Sequence, residues 1–581
     1  MFHKSAKSYA LVTEAMVLLL VTAWVTILTH QKEQEKVNTM VSVSWEQRLL
    51  QTNTMSHVLF SLNVLGGSAV LISIFHPNVI YQQLQALCRN ERDTGLVVGC
   101  LLPPLVLLSR LLNEVDLESK FSSRFNFFYS WVTISFGFSV LLKIAVFKSL
   151  TSLRVNALVD VILLPMLFGL LSPIESAWRF LLAATARIIT AAVLATGLKL
   201  LPRSFTIGEA ILVAQGIGLC AFDLLVVTMT KLSENNLMAL VLQSWRITSV
   251  DRPDYVLALE VGMLGSLLVC MALIPLLRAH GTPMPRTIAK PMSFTNTVVC
   301  VLIIAAMVGG VVYPWSCLLL QTKNPFVWLI KFLIKSNSSS MLPPRIGLMI
   351  YWAICLLVLV PLIRTISNYL KLRNIVARKL FHVLIAVMLG PASIIDVPML
   401  SLSYGVAISV FLIVECARAL SLPPFGRSIA VFMRSFIDYR ESGRVILTHS
   451  YLLLGCALPL WLAPSFDSPS ILIINAGIVA LGIGDAMGAL VGSSVGSCRI
   501  FGNKTVEGST AVFTSMFFAS VLLQNYRLRV LLEADYMQVI LLTVAVLLTT
   551  FLEAATAQID NLVLPLFFYV VCNLVECHRL L

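Results

Sequence analysis

Residues 484–511 read GDAMGALVGSSVGSCRIFGNKTVEGSTA, the least lipid-like stretch of a very apolar chain. Asp485 closes a nearly uninterrupted apolar run, and an ionisable side chain there is costly unless it is paired or bound to something. Gly484, Gly488, Gly492 and Gly496 recur at every fourth position, so on a helix they share one face. Such a stripe can pack against a neighbouring helix, or it can let a nucleotide approach bare backbone. A short polar loop follows with Arg499, Lys504, Thr505, Glu507 and Gly508. Lys504 and Glu507 stand three apart, the spacing of a helical ion pair. The loop is not a Walker A loop: five residues separate Gly496 from Gly502, Asn503 precedes the lysine, and no strand leads in.

Two further stretches carry residues of the same kind. Arg378 and His382 are spaced i, i+4 at the entry of an apolar span, with Lys379 between them, a pattern that also suits a solvated interfacial cluster. Glu553 and Asp560 lie seven apart, hence on one face of a continuous helix, and Asn561 follows. Paired carboxylates at a helix end could bind Mg²⁺, which takes one or two carboxylates together with substrate phosphates. Other charges lie inside apolar runs: Glu14, Arg187, Glu209, Asp223, Glu260 and Glu415. They keep a transporter in view, although no Gly/Pro-broken helices recur at matching positions of two halves.

The elements that must position these residues are membrane helices. The chain has 581 residues, 58% hydrophobic and 12% charged, with mean hydropathy +0.88. No soluble domain of that size can hide so much apolar surface, so the expected fold is an all-α polytopic membrane protein. Windows long enough to cross the bilayer suggest roughly 15–17 transmembrane helices. His3, Lys4 and Lys7 precede the first apolar run without a cleavage site after it, so that run is expected to be a retained span. The net charge of +13 suits basic loops beside a bilayer, and no nucleic-acid signature accompanies it, so no nucleic-acid partner is expected. The twelve cysteines are scattered without a C-x-x-C, which argues against a disulfide framework or zinc site.

Residues 1–370 form a multi-span region with no clustered polar motif, whereas 371–581 concentrate polar residues in a few loops. The loops near 371–380, 418–444 and 498–508 hold four, five and two Lys/Arg, while the turns near 392–397 and 465–470 hold none. Two spans separate each basic loop from the next, so all three fall on one side, expected to be the cytosol. The returning helix brings 553–561 to the same side. Arg378, Lys379, Asp485, Lys504, Glu507, Asp560 and Asn561 therefore gather at one membrane surface, a composition suited to an anionic ligand and a metal.

Four segments carry a resemblance: ARKLFH (377–382), GIGDAMGALVGSSVG (482–496), NKTVEGS (503–509) and QIDNLVLPL (558–566). Together they resemble the dolichol kinases, CTP-dependent polyprenol kinases. The glycine–aspartate stretch with K-T-x-E-G is shared more widely, with phytol kinases and phosphatidate cytidylyltransferase-like proteins, whereas QIDNLVLPL discriminates better. The resemblance implies transfer of the γ-phosphoryl group of CTP to dolichol in the endoplasmic reticulum membrane, feeding protein glycosylation. It places CTP at 484–508, with Asp485, Lys504, Thr505, Glu507, Gly508, Asp560 and Asn561 on the family's motifs. On that basis Asp485 and Asp560 would hold Mg²⁺, and Lys504 and Arg378 would neutralise charge. Glu507 would orient Lys504 or accept the alcohol proton, with His382 as the competing base. The isoprenoid tail would stay in the bilayer.

Overall fold

The computed structural model describes residues 2–39, 45–75, 87–89, 93–113, 122–163, 177–232, 252–280, 291–335, 344–434, 445–463, 470–502, 504–528 and 536–580. Among these, all regular structure is helical, apart from one isolated antiparallel bridge between Arg499 and Thr505. The longer helices run from α1 (Phe2–Thr39), α2 (Trp45–Phe75), α3 (Leu96–Asn113) and α4 (Ser122–Leu142) to α5 (Ala177–Leu200) and α6 (Ile207–Leu232). There follow α7 (Asp254–Ala272), α8 (Phe294–Met307) and α9 (Pro344–Tyr369). The polar-loop region comprises α10 (Asn374–Ile395), α11 (Val397–Ala419), α12 (Thr448–Trp461), α13 (Ile478–Ser494), α14 (Val506–Leu528), α15 (Tyr536–Ala555) and α16 (Asp560–Leu580).

Fourteen helices among the described residues are long and apolar enough to cross a membrane. The roughly 15–17 suggested by hydropathy windows include segments too short or broken to be among these fourteen. Segments that read as whole spans, 448–461 and 471–494, form short or broken helices instead, α12 having 14 residues. The second of them switches to π-helical hydrogen bonding over Ile478–Asp485 before resuming as α-helix.

Helices α3 and α16 form the centre, with 83% and 89% of their membrane windows buried. Helices apolar on all sides belong in such a position. They pack on each other, and Asn113 Nδ2 donates to Asn573 Oδ1 at 2.7 Å across the contact. One apolar core joins α1–α4 and α6 to α12, α14, α15 and α16, so packing is continuous across residue 370. By contrast, α9 and the 294–319 span are only 11% and 6% buried, and their apolar side chains face outward to lipid.

The acids within apolar runs are engaged. Glu209 meets Arg89 at 2.7 Å, Glu260 meets Arg252 at 3.1 Å together with Asp223, and Glu415 meets Arg418 at 2.6 Å. Arg89 and Arg252 tie the segments before helices to α6 and α7, whereas Glu415 and Arg418 pair within α11.

Candidate active site

The first turns of α10 carry Arg378, Lys379 and His382 alongside α13, which packs closely because Gly482 has no side chain. A Cβ there would lie 2.8 Å from Ala386 Cβ. Lys379 Nζ pairs with Asp485 Oδ2, and His382 Nδ1 lies 3.2 Å from the same oxygen. The side chains of His382 and Asp485 are buried. His382 is thus enclosed against Asp485 rather than presented to a cleft. Arg378 is half-buried and its charge bears on His449, at the start of α12.

The polar loop folds back on itself. Ile500 N donates to Lys504 O at 2.9 Å, Lys504 N to Phe501 O at 2.9 Å, and Val506 N to Cys498 O at 2.8 Å. Gly502 turns the chain at φ +58°, a left-handed conformation that favours glycine. Thr505 then caps α14, its hydroxyl accepting from Gly508 N at 3.2 Å.

Several expected roles change at this point. Glu507 does not orient Lys504. Its Oε1 accepts from Ser497 N at 3.0 Å, Ser497 Oγ at 2.5 Å and Cys498 N at 3.1 Å, bracing the start of the loop. The helical pair expected from the three-residue spacing cannot form, because α14 begins at Val506 and Lys504 lies before it. Lys504 Nζ instead pairs with Glu553 Oε1. Glu553 and Asp560 do not share one helical face either: α15 ends at Ala555 and α16 starts at Asp560.

The glycine stripe is occupied on the side where a Cβ would stand. At Gly484 that atom would meet Met516 Cγ at 2.6 Å, at Gly488 Val512 Cγ2 at 2.4 Å, and at Gly496 the Gly492 carbonyl at 2.3 Å. Gly492 and Gly508 face each other, the Cβ position of Gly508 lying 3.3 Å from Gly492 Cα. Gly484, Gly488, Gly492 and Gly508 therefore serve the close packing of α13 on α14, the first of the two uses open to such a stripe. Arg499 is exposed. Asn503, beside Lys504, lies outside the described residues.

What remains at the centre is a lysine among acids. Burial would push the Lys504 ammonium down, but Glu553, Asp560 and Asp485 together outweigh it and hold its pKa above the ordinary lysine value. Asn561, next to Asp560, donates from Nδ2 to Thr448 O at 3.3 Å and ties α16 to α12. One membrane-end rim thus brings together Lys379, Asp485, Lys504, Glu553 and Asp560.

The profile of the dolichol kinase family, described as "Dolichol kinase", matches residues 188–468, ending before the 484–508 stretch. Dolichol kinase EVAN of Arabidopsis thaliana is 30% identical over 475 residues, covering 80% of this chain and 78% of that protein. The chain belongs to the dolichol kinase family. The dolichol kinase of Homo sapiens is 31% identical over 388 residues, 64% of this chain and 66% of its own length. Dolichol kinase sec59 of Schizosaccharomyces pombe is 32% identical over 258 residues, 42% of this chain and half of its own. No solved structure matches the chain.

For this member of the dolichol kinase family, sequence reasoning undervalued Glu553 and missed His449. Glu553 had a signal, an acid at the end of an apolar run. His449 had none: it stacks on Phe411, with ring centroids 6.1 Å apart, and only folding brings it near Arg378 and His382.

Proposed function

We propose that the chain is a kinase that transfers the γ-phosphoryl group of CTP to the terminal hydroxyl of dolichol. The product would be dolichyl phosphate, made in the endoplasmic reticulum membrane with the CTP site facing the cytosol and used for protein glycosylation. The observation that carries this reading is Lys504 amid the carboxylates of Glu553, Asp560 and Asp485, delivered by three separate helices to one rim. Phosphoryl transfer through a loose transition state demands positioned charge more than covalent chemistry.

Lys379 rests on Asp485 and Lys504 on Glu553. Both lysines are placed to turn from carboxylate to phosphate oxygens, with Arg378 adding a third cation. The donor set fits Mg²⁺, whose usual ligands are one or two carboxylates plus phosphate oxygens. Asp485 and Asp560 would hold the ion, which when bound would neutralise charge on the β- and γ-phosphates. Glu507 fixes the loop that carries Lys504, and His382 fixes Asp485. Because the transition state is loose, the alcohol proton leaves late and a strong base is not required. The isoprenoid tail stays among the outward-facing apolar helices, and only its hydroxyl reaches the rim.

The test is purified protein, γ-labelled CTP, Mg²⁺ and dolichol. Label in the lipid is expected. Label in pyrophosphate would make the protein a cytidylyltransferase, the second reading that the shared K-T-x-E-G motif supports. Formation of neither product by protein that binds CTP would overturn both.

A further inference from the structure

The turn that delivers Asp560 is held from the opposite end of the sequence. Residues 556–559 separate α15 from α16, and Ile559 N donates to Glu209 Oε1 at 2.9 Å. Glu209 lies in the first turn of α6, with its side chain fully buried. The same carboxylate accepts from Arg89 Nη2 at 2.7 Å and from Thr206 N at 3.0 Å. The Thr206 hydroxyl donates to Gln558 Oε1, and Gln558 Nε2 donates to Asp93 O at 3.4 Å. The buried carboxyl of Glu14 on α1 lies beside Thr556 and Ala557 of the same turn. The fit is tight: a Cβ on Gly95, whose φ is +68°, would lie 2.3 Å from Gln558 Oε1.

A buried Arg–Glu pair is a poor way to gain stability alone, since apolar side chains of equal volume often do as well. What apolar side chains could not do is accept the orphan amide that precedes a helix start. Here that amide belongs to the residue before Asp560.

We propose that Glu209, braced by Arg89, is a positioning residue for phosphoryl transfer. It fixes the 556–559 turn, and with it the start of α16, so that Asp560 stands near Lys504. The N-terminal region thereby sets the geometry of a site whose chemistry lies entirely in the C-terminal one. This inference rests on the reading above, in which Asp560 serves the site.

Glu209→Gln keeps the volume but turns an amide NH₂ toward Arg89 or the Thr206 amide. In the full-length purified protein it is expected to lower kcat about 10- to 100-fold and raise the Mg²⁺ concentration needed for half-maximal rate by a similar factor, as loss of an outer-sphere partner does. The KM for dolichol should move by no more than about twofold, because only transition-state geometry is disturbed. Asp160→Asn, which breaks the buried Lys143–Asp160 pair elsewhere, should lower the melting temperature and leave kcat per folded molecule and the Mg²⁺ requirement alone. If Glu209→Gln does the same as Asp160→Asn, the proposal falls. Should Glu209→Gln fail to accumulate folded, Thr206→Val removes the hydroxyl that holds Gln558 and accepts from Glu209 N at 3.2 Å, and unchanged kcat and Mg²⁺ requirement there would also overturn it. Asp560→Asn separates the two readings: full activity in that variant removes Asp560 from the site. Its inactivity beside a normal Glu209→Gln removes only the clamp.

Discussion

Ion pairs occur in two settings in this molecule, and the difference between them separates scaffold from site. Between α4 and the π-helical stretch Ala157–Leu163, Asp160 is dry and saturated. Its oxygens accept from Lys143 Nζ and Ser139 Oγ, each at 2.5 Å, with the lysine side chain 2% exposed. At the rim, the Lys504 side chain is 33% exposed and bears on three carboxylates at once, while Lys379 takes one of them. A saturated pair has nothing left to offer a ligand. Charges that share several partners, with a lysine that reaches water, can exchange one partner for a ligand. An ionisable residue inside an apolar run is therefore not a functional signal by itself; saturation and wetness decide.

That contrast can be broken most sharply from its dry side. Asp160→Asn leaves Lys143 buried beside a neutral amide, and removing one partner of such a pair costs about 3–5 kcal/mol. The expected outcome is a large fall in thermal stability in detergent with unchanged phosphoryl transfer per folded molecule. Loss of transfer at full stability would show that dry pairs also do chemistry here. From the wet side, Lys504→Ala should insert and fold, yet lose roughly 10²–10³-fold in rate, about 2.7–4 kcal/mol, the scale of one preorganised charge-stabilising donor. Rate measured with γ-labelled CTP against melting temperature decides, and a Lys504→Ala protein that transfers normally would remove the lysine from the site.

How much of this was legible in the sequence follows the same division. The membrane class came directly from composition. The gathering of basic loops followed from the alternation of charged and uncharged turns, and the structure joins 371–380 to Asp485 and 498–508 to Glu553 through Lys379–Asp485 and Lys504–Glu553, pairs that do not involve the 418–444 loop. What spacing could not reveal were partners chosen in three dimensions. The stretch from Glu553 to Asp560 contains no glycine or proline, so periodicity ran straight through it. The helix breaks there where Glu209 and Thr206, some 350 residues away, take Ile559 N and Gln558. Glu507 was assigned to Lys504 by a three-residue offset, but the loop doubles back and gives it Ser497 and Cys498 instead. Local rules assume that the helix continues; at this rim it stops twice.

The smallest effect tests whether the wet rim has a dry edge. The glycine stripe borders the lysine and acids, yet its Cβ side is filled by α14, with Val512 Cγ2 2.4 Å from the atom that Gly488→Ala would add. Overpacking of this kind costs about 1–3 kcal/mol. Gly488→Ala should therefore lower the melting temperature while the KM for CTP stays within about twofold, since no contact with the bound nucleotide is lost. A comparison residue is Gly197 in α5, which has nothing within 4 Å of its Cβ position. There an alanine should be neutral or stabilising by up to about 1 kcal/mol, through the helix preference for alanine over glycine. If Gly488→Ala instead weakened CTP binding tenfold at unchanged stability, the stripe would be a face for nucleotide. The boundary between packing and chemistry would then run between α13 and α14 rather than along the acids at their end.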